Sequence, residues 1–98
     1  MEVQEILTAL GKRVRELRLK QGYSQEAFAD LCGVHRTFMG TIERGESNLS
    51  FSNLVKISKA LGITLSQMLS GLERRAETLM ERPVVSGEPA SPKKVQKS

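Results

Sequence analysis

One histidine and one cysteine occur in 98 residues, and that scarcity excludes much of the chemistry a small protein can carry. Structural zinc sites normally take four Cys or His ligands, so Cys32 and His35, although spaced C-x-x-H, fall two short. A nucleophilic triad would have to be built around His35, and no such arrangement is evident in the chain. The expectation is therefore no enzyme activity, no catalytic residue, no metal and no cofactor. Cys32 reads as a small core residue, and His35 as a turn or N-cap residue within reach of a phosphate. With one cysteine no intramolecular disulfide can form. Tryptophan is absent, and one Tyr and three Phe are the only aromatics. The core must come from Leu, Ile, Val, Ala and Met, a composition that favours packed helices. No run approaches the roughly 18 apolar residues that span a bilayer, and Met1 to Glu5 lack the pattern of a secretory signal. The expected location is the cytoplasm.

Charge of one sign is also in short supply. The formal net charge is +4, but Lys93, Lys94 and Lys97 against Glu88 place half of it in the last sixteen residues. Positions 1–82 hold twelve basic and ten acidic residues, so bulk charge is weak evidence for any polyanionic partner. What counts is where the Arg and Lys residues sit.

What the chain does have is helical periodicity punctuated by caps. Ile6, Leu7, Leu10, Val14 and Leu17 follow the 3–4 spacing of one helix face, and this first helix should end near Gly22. Ser24 can N-cap a short helix over residues 25–32, closed by Gly33. A tight Gly33-Val34-His35 connection leads to a third helix, 36–44, which stops at Gly45. Ser50 can cap a fourth over 51–61, ended by Gly62. Thr64 and Gln67 have the spacing of a capping box for a fifth, expected to reach about Met80, with Gly71 either ending or weakening it. From Pro83 all three prolines occur with Ser, Gly and Lys, a composition expected to remain disordered. Residues 1–82 are thus expected to form one all-α domain and 83–98 a basic tail.

Two short helices joined by a glycine turn form the central feature. If Met39 and Ile42 face the core, about 100° per residue sends Thr37, Gly40, Thr41 and Arg44 outward, with Arg36 on the flank. That face is small, polar and basic, and suits a major groove roughly 12 Å wide. Arg36 can donate a bidentate pair to guanine, while Thr37 and Thr41 can bond a phosphate or base edge or pack against a thymine methyl. Taken alone, an Arg–Thr pair on a helix is far more often part of an ordinary solvated face.

Several motifs in order narrow this. Residues 24–29, Ser-Gln-Glu-Ala-Phe-Ala, then Gly33-Val34, Ile42-Glu43-Arg44-Gly45 and Leu61-Gly62-Ile63, resemble the phage-repressor and Cro-like (Xre) helix-turn-helix regulators over residues 12–72. The resemblance implies a compact five-helix bundle of the lambda-repressor type, with 36–44 as the recognition helix. It implies a phosphate contact for Gln25, where a helix N-terminus offers free amides. It also implies an outward Arg44 and a structural Glu43 paired with Arg18 or Arg13. His35 to Phe38, with Ile42 to Gly45 and Ser47 to Ser50, resembles more closely the controller proteins of restriction-modification systems. That likeness implies base or backbone contacts from Arg36, Thr37, Ser47 and Asn48.

The function implied is a sequence-specific regulator of transcription, located on the nucleoid when bound. One recognition helix contacts too few base pairs to select an operator from a genome. A homodimer on a pseudo-palindrome is therefore expected, with half-sites 34–36 Å apart. Leu49, Phe51, Leu65, Met68, Leu69 and Leu72 are the interface candidates. The expected partners are operator DNA and a second copy, with RNA polymerase or another protein as a further candidate and no membrane. One alternative is an antitoxin-like protein whose Leu72–Ser98 segment engages a protein partner. A helical adaptor with no DNA role is the other, and it leaves the outward face of the third helix unexplained.

Overall fold

A computed structural model describes residues 2–80, with side chains placed through Glu77. The expected 83–98 tail lies outside the described residues. Six helical segments follow one another: α1 (Val3–Lys20), α2 (Gln25–Cys32), α3 (Arg36–Glu43), α4 (Phe51–Leu61), α5 (Leu65–Leu69) and α6 (Leu72–Met80). The all-α bundle is the one expected, and local side chains explain most of its boundaries. Ser24, Ser50 and Thr64 each accept an amide hydrogen bond from the third residue of the helix they open. Such caps contribute about 1 kcal/mol each.

Three boundaries differ from expectation, the smallest difference being at α3, which ends at Glu43 with Arg44 as its C-cap. α1 starts three residues earlier than its apolar periodicity suggests, because Glu5 Oε1 accepts from the Glu2 amide at 3.3 Å and satisfies the start of the helix. The expected fifth helix is divided into α5 and α6 at Gly71. There φ is +73°, a left-handed conformation that glycine adopts without steric penalty. The break lets Leu72 and Ala76, 4% and 0% exposed, turn back into the core, where α6 lies along α1.

The core gathers one face from every helix: Val14 from α1, Phe28 from α2, Met39 and Ile42 from α3, Ile57 from α4 and Met68 from α5 are all essentially buried. Each contributes about 1.5–3 kcal/mol of transfer free energy. Polar groups bind the ends. Arg13 donates from Nε to Met68 O at 3.0 Å and from Nη2 to Gln67 O at 2.9 Å. Gln21 Nε2 donates to Leu61 O at 2.8 Å. Arg13 and Gln21 thereby bond the carbonyls at the C-terminal ends of α5 and α4, where Gln67 O also accepts from the Ser70 amide. Cys32 is 5% exposed, and burial pushes its thiol up to about 11, which makes it an inert core residue.

Gly11 sets the distance between α1 and α3. A Cβ at this position would stand 2.4 Å from Ile42 O and 2.7 Å from Glu43 O, so the two helices touch backbone to backbone. Gly45 is similarly placed over α1, where a Cβ would meet Thr8 Cα at 2.7 Å. Gly11→Ala should therefore destabilise the fold by about 1–3 kcal/mol or more, since neither backbone can give way cheaply. Ala27→Gly, on the exposed face of α2, should cost only about 1 kcal/mol of helix propensity. Urea unfolding of the two variants measures the difference.

Candidate nucleic-acid interface

Everything that α3 presents depends on how its C-terminal end is fixed. Glu43 is 7% exposed and Arg18, on α1, is 6% exposed. Arg18 Nε meets Glu43 Oε2 at 2.7 Å and Nη2 meets Oε1 at 2.9 Å, a bidentate pair. The remaining Arg18 nitrogen, Nη1, donates to Tyr23 O at 2.8 Å. Gln25 Nε2, at the first turn of α2, donates to Glu43 Oε1 at 3.2 Å. One buried cluster thus joins α1, the α1–α2 turn, the start of α2 and the end of α3. Of the two partners expected for Glu43, Arg18 is the one used, and Arg13 is occupied at α5.

At the other end of α3, His35 is the N-cap. Its Nδ1 accepts from the Thr37 amide at 3.1 Å, so in the neutral ring Nε2 carries the proton and faces away as a donor. Gly33, with φ +75°, makes the turn between the two helices possible. His35, Arg36, Thr37, Arg44 and Asn48 are exposed, while Gln25, Thr41 and Ser47 are half-buried. The outward face is therefore exposed at the two ends of α3, at His35 to Thr37 and at its C-cap Arg44, and again at Asn48 in the loop that follows.

Two members of that face differ from the helical-wheel expectation. Gly40 is buried because side chains close over it. A Cβ there would lie 3.2 Å from Arg44 Nη1 and 3.6 Å from Gln25 Oε1, so the missing side chain is what allows both to extend over α3. The Thr41 hydroxyl is engaged inside the chain, donating to Phe38 O at 2.7 Å and touching Ser47 Oγ. Arg44 points outward as expected, and its Nε pairs with Glu46 at 3.1 Å. Both groups are more than half exposed, so this pair contributes little to stability.

The loop from Gly45 to Ser50 is also held from α1, where Gln4 Nε2 donates to Gly45 O. Gln4 and Gly11 support the candidate site in a way that apolar periodicity does not reveal, since their partners are 41 and about 30 residues away. Of the six residues expected at a subunit interface, Met68 and Leu72 belong to the core, at 0% and 4% exposure. Phe51 is 69% exposed, while Leu49, Leu65 and Leu69 are partly buried against the core. Among the described residues no helix is long and apolar enough to cross a membrane.

A short helix, a left-handed glycine turn and a second short helix with an exposed polar face, docked on a third, define a helix-turn-helix unit. Residues 14–74 match the helix-turn-helix family HTH_3, and the chain belongs to that family. It is 48% identical over 60 residues to the control protein C.BamHI of Bacillus amyloliquefaciens, covering 60% of this chain and 74% of that one. To the control protein C.MunI of Mycoplasma sp it is 41% identical over 73 residues, which span 74% of this chain and 99% of the other. The fold is similar to the crystal structure of the restriction-modification controller protein C.AhdI from Aeromonas hydrophila. There the TM-score is 0.62 with 42% identity, over 63% of this chain and 94% of that one.

Removing one partner of the buried pair leaves the other charge uncompensated. Arg18→Met or Glu43→Leu alone should each cost about 3–5 kcal/mol. The double variant should retain more stability than either single, because it buries no unpaired charge. Denaturant titration of the three variants gives the comparison.

Proposed function

We infer that the chain is a sequence-specific, double-stranded-DNA-binding regulator of transcription that acts as a homodimer on a pseudo-palindromic operator, as the control protein of a restriction-modification system. The observation that carries this reading is the polar face of α3, exposed and fixed at both ends, on a chain whose relatives over nearly their whole length include control proteins. Arg36 and Thr37, at the start of α3, are the base readers. Arg36 reaches guanine O6 and N7 as a bidentate donor. Gln25, His35 and Arg44 flank them as phosphate contacts, and phosphate contacts set register without reading sequence.

The near balance of charge in residues 1–82 makes placement of these groups more important than attraction at a distance. The exposed Phe51 and the partly exposed Leu49, Leu65 and Leu69 supply the subunit interface, which sets the two α3 helices one DNA turn apart. Residues 1–82 are the DNA-binding and dimerising unit, with 83–98 a basic appendage to it. RNA polymerase is the protein partner that a control protein acting on transcription would meet at its operator.

Selection of bound fragments from random duplexes, at stated salt, should return a two-fold symmetric consensus. Arg36→Ala should then cost about 1–3 kcal/mol on that consensus and relax the preference at its guanine, whereas Gln25→Ala should weaken all duplexes alike. An Arg36→Ala protein that discriminates selected from random DNA as well as the parent does would refute the assignment. Sedimentation should show a dimer at operator-binding concentrations, and deletion of residues 83–98 should leave the consensus unchanged. A monomer at concentrations well above those that bind the operator would contradict the interface.

A further inference from the structure

The hydroxyls of Thr41 and Ser47 are the natural candidates for DNA contact in the second half of the recognition strip, yet proton counting points elsewhere. A hydroxyl has one proton to donate. The Thr41 proton goes to Phe38 O, at 2.7 Å. The contact between Thr41 Oγ1 and Ser47 Oγ must then use the Ser47 proton, with Thr41 accepting. Both protons are committed within the protein, and phosphate oxygens only accept. Neither hydroxyl can bond a phosphate without breaking this chain of bonds.

The same bonds fasten the loop. The Glu46 amide donates to Thr41 O at 2.8 Å and Gln4 reaches Gly45 O, so each of the first three loop residues is tied to α3 or α1. The next residue, Asn48, is exposed, and its amide can both donate and accept. We propose that Thr41 and Ser47 are positioning residues, a hydroxyl latch that closes the loop after α3 and holds Asn48 out as the side chain the loop offers to the duplex. This rests on the DNA-binding reading. It removes Thr41 from the base readers and leaves sequence discrimination to Arg36 and Thr37.

The test pairs isosteric and conservative variants. Thr41→Val keeps the shape and the methyl but removes the hydroxyl, while Thr41→Ser keeps the hydroxyl and removes the methyl. On the selected operator, Thr41→Val and Ser47→Ala should each weaken binding about three- to tenfold, the range of one hydrogen bond. The loss should be the same on selected and random duplexes, and the double variant should bind no more weakly than either single. Thr41→Ser should bind like the parent. In the free protein, Thr41→Val should speed hydrogen exchange at the Glu46 amide, which donates to Thr41 O, and Thr41→Ser should not.

The opposite pattern, in which Thr41→Val binds the operator like the parent and Thr41→Ser relaxes the preference at one operator position, would assign the methyl to a base and overturn the latch. Additive losses from Thr41→Val and Ser47→Ala would overturn it too. If the parent protein shows no sequence preference, the regulator reading fails. The exchange experiment still decides the latch in that case, and unchanged amide exchange in Thr41→Val overturns it.

Discussion

The bidentate pair between Arg18 and Glu43 is the interaction on which the rest of the structure depends. It spans 25 residues of sequence and sits almost wholly out of water. Two charges in that position are costly unless every donor and acceptor is used. Here Arg18 also donates to Tyr23 O, and Glu43 also accepts from Gln25. Together these bonds tie α1, the α1–α2 turn, the start of α2 and the end of α3 to one another. Hydrophobic burial supplies most of the driving force for the bundle, but it is non-directional. The ion pair adds direction, and Gly11 lets α1 and α3 approach closely enough for it to form.

This arrangement separates holding from reading. The residues that hold α3 are buried or committed: Glu43 to Arg18, His35 Nδ1 to the Thr37 amide, Thr41 to Phe38. Those that remain exposed, Arg36, Thr37, Arg44 and Asn48, sit on a frame whose side-chain bonds are already satisfied. On the proposed reading, the backbone that carries these side chains is ordered before it meets a duplex, and the entropy still to be lost is that of the exposed side chains themselves. That matters for a body with only a small excess of positive charge. Gly40 serves the same end, since its missing side chain lets Gln25 and Arg44 close over α3.

Most of the fold was legible because its boundaries are local chemistry. Ser24, Ser50 and Thr64 cap the helices they precede, and the bounds of α2 and α4 follow directly from those caps and the glycines behind them. The polar strip of α3 was legible for the same reason, since Met39 and Ile42 set its phase. What periodicity does not carry is contact between distant segments. Gly11 looks like a flaw in α1 until α3 lies against it. Gln4 looks like a surface residue until the loop after α3 reaches it. Thr41 reads as outward on a helical wheel, yet its hydroxyl donates back to Phe38 O within α3 and also meets Ser47 where the chain returns, a contact that periodicity does not carry. Gly71 left two outcomes open locally, and the burial of Leu72 and Ala76 against α1 selects the break.

The central claim is that the buried pair docks α3, over and above its share in overall stability. Native-state hydrogen exchange on Arg18→Met, compared with the parent, tests this most directly. The account predicts that all the helices lose the protection equivalent to the lower global stability, and that the amides of Met39 to Glu43 lose more than those of α1 and α4 because α3 opens locally. Uniform loss across all the helices, with α3 no worse than α4, would contradict it.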